Sequence, residues 1–194
     1  MKSLISLVIL MTSVSLQAQD KTLPYYEIPS QPENFTAGAV ASRMIDGLGF
    51  RLYWATEGLR PEDLSWKPGN ETRTTEETIS HIYEMTNIIL NSTTNTPNTP
   101  REKEKLNFGQ MRKMALENLK KASDNLRTKT DAEMKDLKII FKRDSGTTEY
   151  PFWNQLNGPI ADCLWHVGQI VSFRRSSGNP FTDKVSVFTG KVRN

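Results

Sequence analysis

The chain of 194 residues carries 25 lysines and arginines against 22 aspartates and glutamates, a formal net charge of +3. This length fits one domain, and the near balance of charge excludes the dense basic face that dedicated nucleic-acid binders use. A single cysteine, Cys163, excludes an intramolecular disulfide and a four-cysteine zinc site, and two histidines, His81 and His166, limit any metal site to two imidazole ligands.

Residues 1–18 have the layout of a secretory signal peptide. Lys2 supplies the positive start, residues 4–11 form an apolar run interrupted only by Ser6, and Ala18 ends the segment on a small residue suited to cleavage. The run is too short to cross a membrane, and a buried N-terminal helix is the alternative. The sequence therefore predicts an exported protein, periplasmic or secreted, with no stable membrane span once the signal is removed.

Four amphipathic helices are predicted from apolar residues that recur every three or four positions. They cover about residues 36–58, 74–91, 107–126 and 158–177. Asn34 or Thr36 can cap the first helix, and Thr74 or Thr75 can cap the second, because their side-chain oxygens accept backbone N–H groups. Pro159 favours the start of the fourth helix, since proline suits the first helical position.

The segments between the helices complete the predicted fold. A loop joins the first two helices, and residues 92–100 (STTNTPNTP) read as a mobile linker that buries little. Two short strands around a turn at 144–146 predict a β-hairpin. A leader over residues 19–34 and a tail over residues 183–194 flank a domain over residues 35–182. The fold class is all-α, a four-helix bundle with a small β-hairpin inserted before the last helix.

Two acid–histidine pairs form the candidate site, Glu77-x-x-x-His81 on the second helix and Asp162-x-x-x-His166 on the fourth. Residues four apart share a helix face, and facing helices of a bundle can present such side chains to one metal ion. Two imidazoles and one carboxylate make a facial triad that leaves positions open. The spacing alone leaves other interpretations open: a core or rim role for His81, and stabilisation of the helix N-termini by Glu77 and Asp162.

Several other residues have structural interpretations. Arg174 and Arg175 complement the negative end of the fourth helix, with anion binding as the alternative. Gly168 is expected to allow close approach of a neighbouring helix. Cys163 is rotated about 100° from Asp162 on the helix, so packing is favoured over metal ligation.

The fourth-helix motif resembles the last helix of the DinB-like (damage-inducible B) superfamily. The resemblance rests on residues 164–170 (LWHVGQI) followed by the motif RRxxGxP at 174–180, together with residues 79–82 (ISHI) in the second helix. It covers about residues 35–182. The family is similar in fold to a four-helix bundle, is often dimeric, and in many members binds nickel or zinc through three histidines, one from the second helix and two from the fourth.

The resemblance implies a divalent metal site at His81, Asp162 and His166. The two histidines match two of the family's ligand positions, and Asp162 stands at the third. Zinc or nickel is expected first, with iron or manganese left open. Glu77 is a candidate second-shell partner or proton acceptor.

The resemblance also implies a range of functions. Some relatives are thiol-dependent S-transferases that use bacillithiol or mycothiol, and others are called metal-dependent hydrolases. Export argues against a cytosolic thiol cofactor. We therefore expect an exported, homodimeric enzyme that activates water or a thiol for attack on a small molecule, without a nucleic-acid partner. The alternative is a non-catalytic bundle that binds a small ligand or a partner without metal.

Overall fold

Helices and two small antiparallel strand pairs form the described part of the chain, residues 23–100, 102 and 105–193 of a computed structural model. The elements are α1 (Ala37–Thr56), α2 (Pro61–Ser65), α3 (Thr75–Ser92), α4 (Phe108–Arg127), α5 (Asp131–Lys135), β1 (Lys138–Arg143), β2 (Gly146–Pro151), α6 (Trp153–Gln155), a π-helical turn (Leu156–Ile160), α7 (Ala161–Ser176), β3 (Val185–Ser186) and β4 (Lys191–Val192). The predicted signal peptide lies outside the described residues. Over the described ranges, no helix has both the length and the apolar character that crossing a membrane requires.

Side-chain caps start the long helices where the sequence predicts them. Thr36, Thr74 and Asn107 each accept a hydrogen bond from the backbone N–H three residues further on. Such a bond satisfies one of the donors that a helix N-terminus leaves without a partner. The predicted first, second and third helices are confirmed as α1, α3 and α4, with bounds that differ by one or two residues.

The core lies between four long helices. α1 packs against α4 and α7, and α3 packs against the same two helices from the other side. Apolar residues at helical spacing supply the buried stripes. The largest fully buried side chains are Ile45, Leu48, Phe50, Leu52, Tyr53, Ile79, Ile82, Ile89, Leu116, Leu119, Leu126 and Ile160. The packing therefore sets α3 and α7, the two helices with histidines, side by side.

The start of the predicted fourth helix is irregular. Helical structure begins at Trp153, passes through the π-helical turn and becomes regular only at Ala161. Gly158 has φ −97° and ψ −109°, outside the helical region. Pro159 follows it and has no N–H to donate, so it cannot close a regular helical hydrogen bond. The π-helical turn places Asp162 in the first turn of α7.

The segment predicted as a linker over residues 92–100 is bonded to the hairpin, although most of its residues are exposed. Asn98 N donates to Ile140 O at 2.7 Å and Lys142 N donates to Asn98 O at 2.9 Å, so the segment adds a parallel bridge to β1. Thr93 is buried. Polar composition indicated few buried contacts, but the backbone and amide groups of this segment find partners on the hairpin.

The short helix α2 lies in the segment predicted as a loop. Its buried carboxylate, Asp63, accepts hydrogen bonds from Arg60, Ser177 and Asn179. Burial raises the pKa of Asp63, but these hydrogen bonds outweigh it and hold the pKa well below its usual value. The carboxylate thus ties α2 to the end of α7.

The sequence predicts that Arg174 complements the negative end of its own helix, and the structure gives it a further role at the end of α1. It is 3% exposed, and its Nη1 donates to the carbonyl oxygens of Trp54, Ala55 and Glu57 at 3.0–3.1 Å. α1 ends at Thr56, so these oxygens belong to the helix end that has no internal donors. Arg174 therefore caps α1, and the C-terminal ends of α1 and α7 meet.

The leader and the tail are joined to each other and to α1. Tyr25 OH donates to Asp46 Oδ1 at 3.1 Å, and Ile28 N donates to Gly190 O at 2.9 Å. Gly190 has φ +69°, and a Cβ there would lie 2.5 Å from the side chain of Ile28. The close approach therefore needs glycine at this position.

Candidate metal centre

Three predicted site residues converge between α3 and α7. His81 Nε2 lies 3.1 Å from Asp162 Oδ2, and His166 Nε2 lies 3.5 Å from Asp162 Oδ1. The two imidazole rings have centroids 4.8 Å apart and stand nearly perpendicular, at 88°. One donor atom from each residue lies within 4.8 Å of the others. We call this group the His–Asp–His cluster.

The cluster is partly open to solvent. The exposed fractions of the side chains are 22% for His81, 40% for Asp162 and 15% for His166. Asp162 and His166 share one face of α7 because they lie four residues apart. A cleft of about 860 Å³ lies along a neighbouring face of α3, lined in part by Ser80 and Glu84 and by none of the three cluster residues.

Comparison with known proteins identifies the fold. A scan against protein-family models gives no match, and a search of the curated proteins gives none either. A search of solved structures finds the crystal structure of a DinB-like protein, YjoA, from Bacillus subtilis. The match has a TM-score of 0.52 and 15% sequence identity, and covers 70% of this chain and 92% of that chain. The chain has a DinB-like fold. At this identity the likeness concerns the fold, which agrees with the resemblance seen in the sequence.

Gln169 orients one histidine of the His–Asp–His cluster. His166 Nδ1 lies 2.7 Å from Gln169 Oε1, and since an amide oxygen only accepts, Nδ1–H is the donor. In the neutral ring this bond leaves the lone pair on Nε2, the atom that would bind a metal ion. Sequence reasoning missed Gln169, although its position three residues after His166 places it on the same helix face.

The donor set of the His–Asp–His cluster suits a divalent ion. Two imidazole nitrogens and a carboxylate oxygen are ligands that zinc and other divalent transition metals accept. Donors about 2.0–2.2 Å from one ion lie at most about 4.4 Å apart. The observed separations, all within 4.8 Å, are close to that limit. The cluster can therefore hold a divalent metal after small side-chain rotations.

Glu77 lies outside the cluster. Its Oε2 accepts a hydrogen bond from Thr74 N at 2.7 Å, and its own N–H donates to Thr74 Oγ1 at 3.1 Å. The backbone hydrogen bond lowers the pKa of this exposed carboxyl. The structure thus places Glu77 in the capping box of α3, the helix-stabilising alternative that the sequence left open.

Cys163 is also separate from the cluster. The side chain is fully buried in the apolar core, and burial, with a smaller effect from Asp162, raises the pKa of its thiol to about 12. A thiol with this pKa is protonated at neutral pH and is neither a ready nucleophile nor a ready ligand. The structure agrees with the packing role expected from its position on the helix.

Proposed function

We propose that this protein is a metal-dependent enzyme that acts on a small molecule and is built as a DinB-like four-helix bundle. The observation that carries the proposal is the convergence of His81, Asp162 and His166 from two helices on one partly exposed point. Zinc or nickel fits these donors first, and iron or manganese also accepts two imidazoles and a carboxylate.

A divalent ion bound there would lower the pKa of water or of a thiol, or polarise a carbonyl group. Hydrogen bonds within the chain orient the side chains that would bind the ion. Asp162 Oδ2 lies within hydrogen-bonding distance of His81 Nε2, and Gln169 Oε1 accepts from Nδ1–H of His166. The partly exposed side chains leave the site accessible to a small substrate. The reaction class that fits is hydrolysis, or group transfer to a thiol.

The proposed location favours hydrolysis over thiol transfer. The signal-peptide layout of residues 1–18 supports export to the periplasm or the exterior, where small-thiol cofactors are scarce. Intact-mass measurement of the exported protein should give a chain that begins near Gln19. Recovery of the uncleaved chain from the cytosol alone would contradict export. A homodimer is proposed on the resemblance alone.

One observation favours the non-catalytic alternative, a bundle that binds a ligand or partner without metal. His81 Nε2 has a partner in Asp162 and His166 Nδ1 has one in Gln169, so each imidazole is hydrogen-bonded within the chain. A polar cluster whose hydrogen-bonding groups already have partners can stabilise the fold without binding a metal. Metal content separates the two functions.

The test is elemental analysis of protein purified without a metal-affinity tag. The enzyme proposal expects about one ion per chain in the unaltered protein. Asp162→Ala should lose most of the metal, whereas Asp162→His should keep it, because imidazole replaces carboxylate as a ligand. Glu84→Gln removes an acid from α3 outside the cluster and is the matched control. Metal-free protein that also fails to bind added zinc would leave only the non-catalytic alternative.

A further inference from the structure

A second cavity lies on the other side of α7 from the His–Asp–His cluster. It is a groove of about 470 Å³ between α1, α7 and the C-terminal segment, a size typical of small-molecule sites. Gly168 lines the groove, and it follows His166 by two residues, which is 200° around the helix axis. The groove therefore has no part in the proposed metal chemistry.

The groove combines an apolar body with positive charge. Its walls are mostly aromatic and aliphatic, with two arginines, Arg51 and Arg175, and no acidic residue among the lining side chains. Arg175 is exposed and enters none of the ion pairs between described residues. Arg51 is partly exposed and donates from Nη1 to Gly47 O at 2.9 Å. The lining thus attracts anions and offers them no repulsion.

Arg175 lies at the C-terminal end of the part of α7 that lines the groove. Arg174 binds the carbonyl oxygens of Trp54 and Ala55, so the C-terminal ends of α1 and α7 are adjacent. Arg51 lies about one turn before Ala55, and its bond to Gly47 O holds its guanidinium further back along α1. The charge of Arg175 therefore marks one end of the groove, and apolar surface extends away from it along α7.

Gly168 gives an independent sign of a ligand. The sequence predicts that it allows a close helix approach, but that prediction is wrong: a Cβ built there meets no atom within 4 Å. Glycine in a helix interior is less favourable than alanine, and no contact within the described chain requires it. The absent side chain widens the groove in the middle of α7, where it leaves room for an external molecule.

We propose that this groove binds a small amphipathic monoanion, with its apolar chain along α7 and its carboxylate on Arg175, while Arg51 adds positive charge to the lining. A second copy of the chain fits less well. In a self-complementary interface the same surface meets itself, and this lining would bring arginines together without an acid to offset them.

Isothermal titration of the protein with decanoate, below its micelle concentration, tests the proposal. Decanoate should bind at least tenfold more tightly than decanol, which has the same chain without the charge. The double variant Arg51→Gln/Arg175→Gln should lose that preference, while Lys121→Gln, which removes an exposed charge on α4, should keep it. Gly168→Leu should raise the melting temperature and abolish binding of both ligands, because leucine favours the helix and fills the groove.

Three results would overturn the proposal. One is equal affinity for decanoate and decanol, and another is unchanged binding by Gly168→Leu. The third is a stable dimer that binds no decanoate and that Gly168→Leu dissociates, since a second copy would then occupy the groove. Asp162→Ala should bind decanoate normally, so failure of the metal site and failure of the groove are distinguishable.

Discussion

Replacement of Arg174 by methionine should destabilise the protein by about 3 kcal/mol. Methionine keeps an apolar stem of similar length but removes every donor. The Nη1 and Nε atoms donate to the carbonyl oxygens of Trp54, Ala55, Glu57 and Asn179. At a net 0.5–1.5 kcal/mol each, four such bonds contribute roughly 2–6 kcal/mol.

Loss of the buried charge offsets part of that contribution. Burial lowers the pKa of Arg174, against the opposite effect of Asp63 and Glu57, which shows that desolvation of the guanidinium has a cost. We therefore expect the net loss of stability to lie in the lower half of the range of roughly 2–6 kcal/mol given by the hydrogen bonds. For a chain of this size, about 3 kcal/mol corresponds to a melting temperature lower by roughly 6–12 °C.

The measurement is urea unfolding followed by circular dichroism, with the dependence on urea concentration compared between variants. Arg175→Met is the matched control, since this neighbouring arginine is exposed and should cost less than about 0.5 kcal/mol. If Arg174→Met is as stable as the unaltered protein, or if the two variants lose the same amount, then the cap on α1 does not contribute as argued.

Three further predictions follow from buried polar groups and from the thiol. Asp63→Asn should destabilise the protein by a constant amount above about pH 5, and the difference should shrink as the pH falls below about 4. The reason is that a depressed pKa stabilises the fold only while the carboxyl of the unfolded chain would be ionised. Urea midpoints at pH 7, 5 and 3 check this, and an undiminished difference at pH 3 would be inconsistent with it. Asn98→Ala should lower the free energy of unfolding by about 1–2 kcal/mol, because the side chain of Asn98 donates to Ile140 O. The control Thr99→Ala, at an exposed position, should lower it by under about 0.5 kcal/mol. Equal losses of stability in thermal unfolding would argue against a linker that is bonded to the hairpin. Cys163 should resist an aromatic disulfide reagent at pH 8 in the folded protein and react in urea, and rapid reaction without denaturant would show that it is accessible.

The local parts of the fold were predictable because their signals lie within a few residues. Thr74 starts α3 through a bond to a backbone group three residues away, and the turn of the β-hairpin is equally local. The convergence of His81 with Asp162 and His166 was predictable in outline, because each sits on a known helix face and the resemblance paired the two helices.

The rest depends on partners that are distant in the sequence. Arg174 finds its acceptors 117–120 residues earlier, and Asn98 pairs with a strand 42 residues later. Nothing in the composition of either neighbourhood indicates such a partner. Gln169 is different, since its spacing from His166 was visible, and its role needed only the rule that ligand histidines have a hydrogen-bonded second nitrogen.

The junction between the leader and the tail has a consequence for the order of folding. Glu27 and Lys191 form an ion pair across 164 residues, beside the bond from Ile28 to Gly190. A ribosome makes the first partner of each pair long before the second, so the leader must remain undocked until residues 190 and 191 have been synthesised. Contacts this far apart in the chain form late and slow folding. A chain shortened to end before Gly190 should therefore lose the anchorage of Glu27 and Ile28.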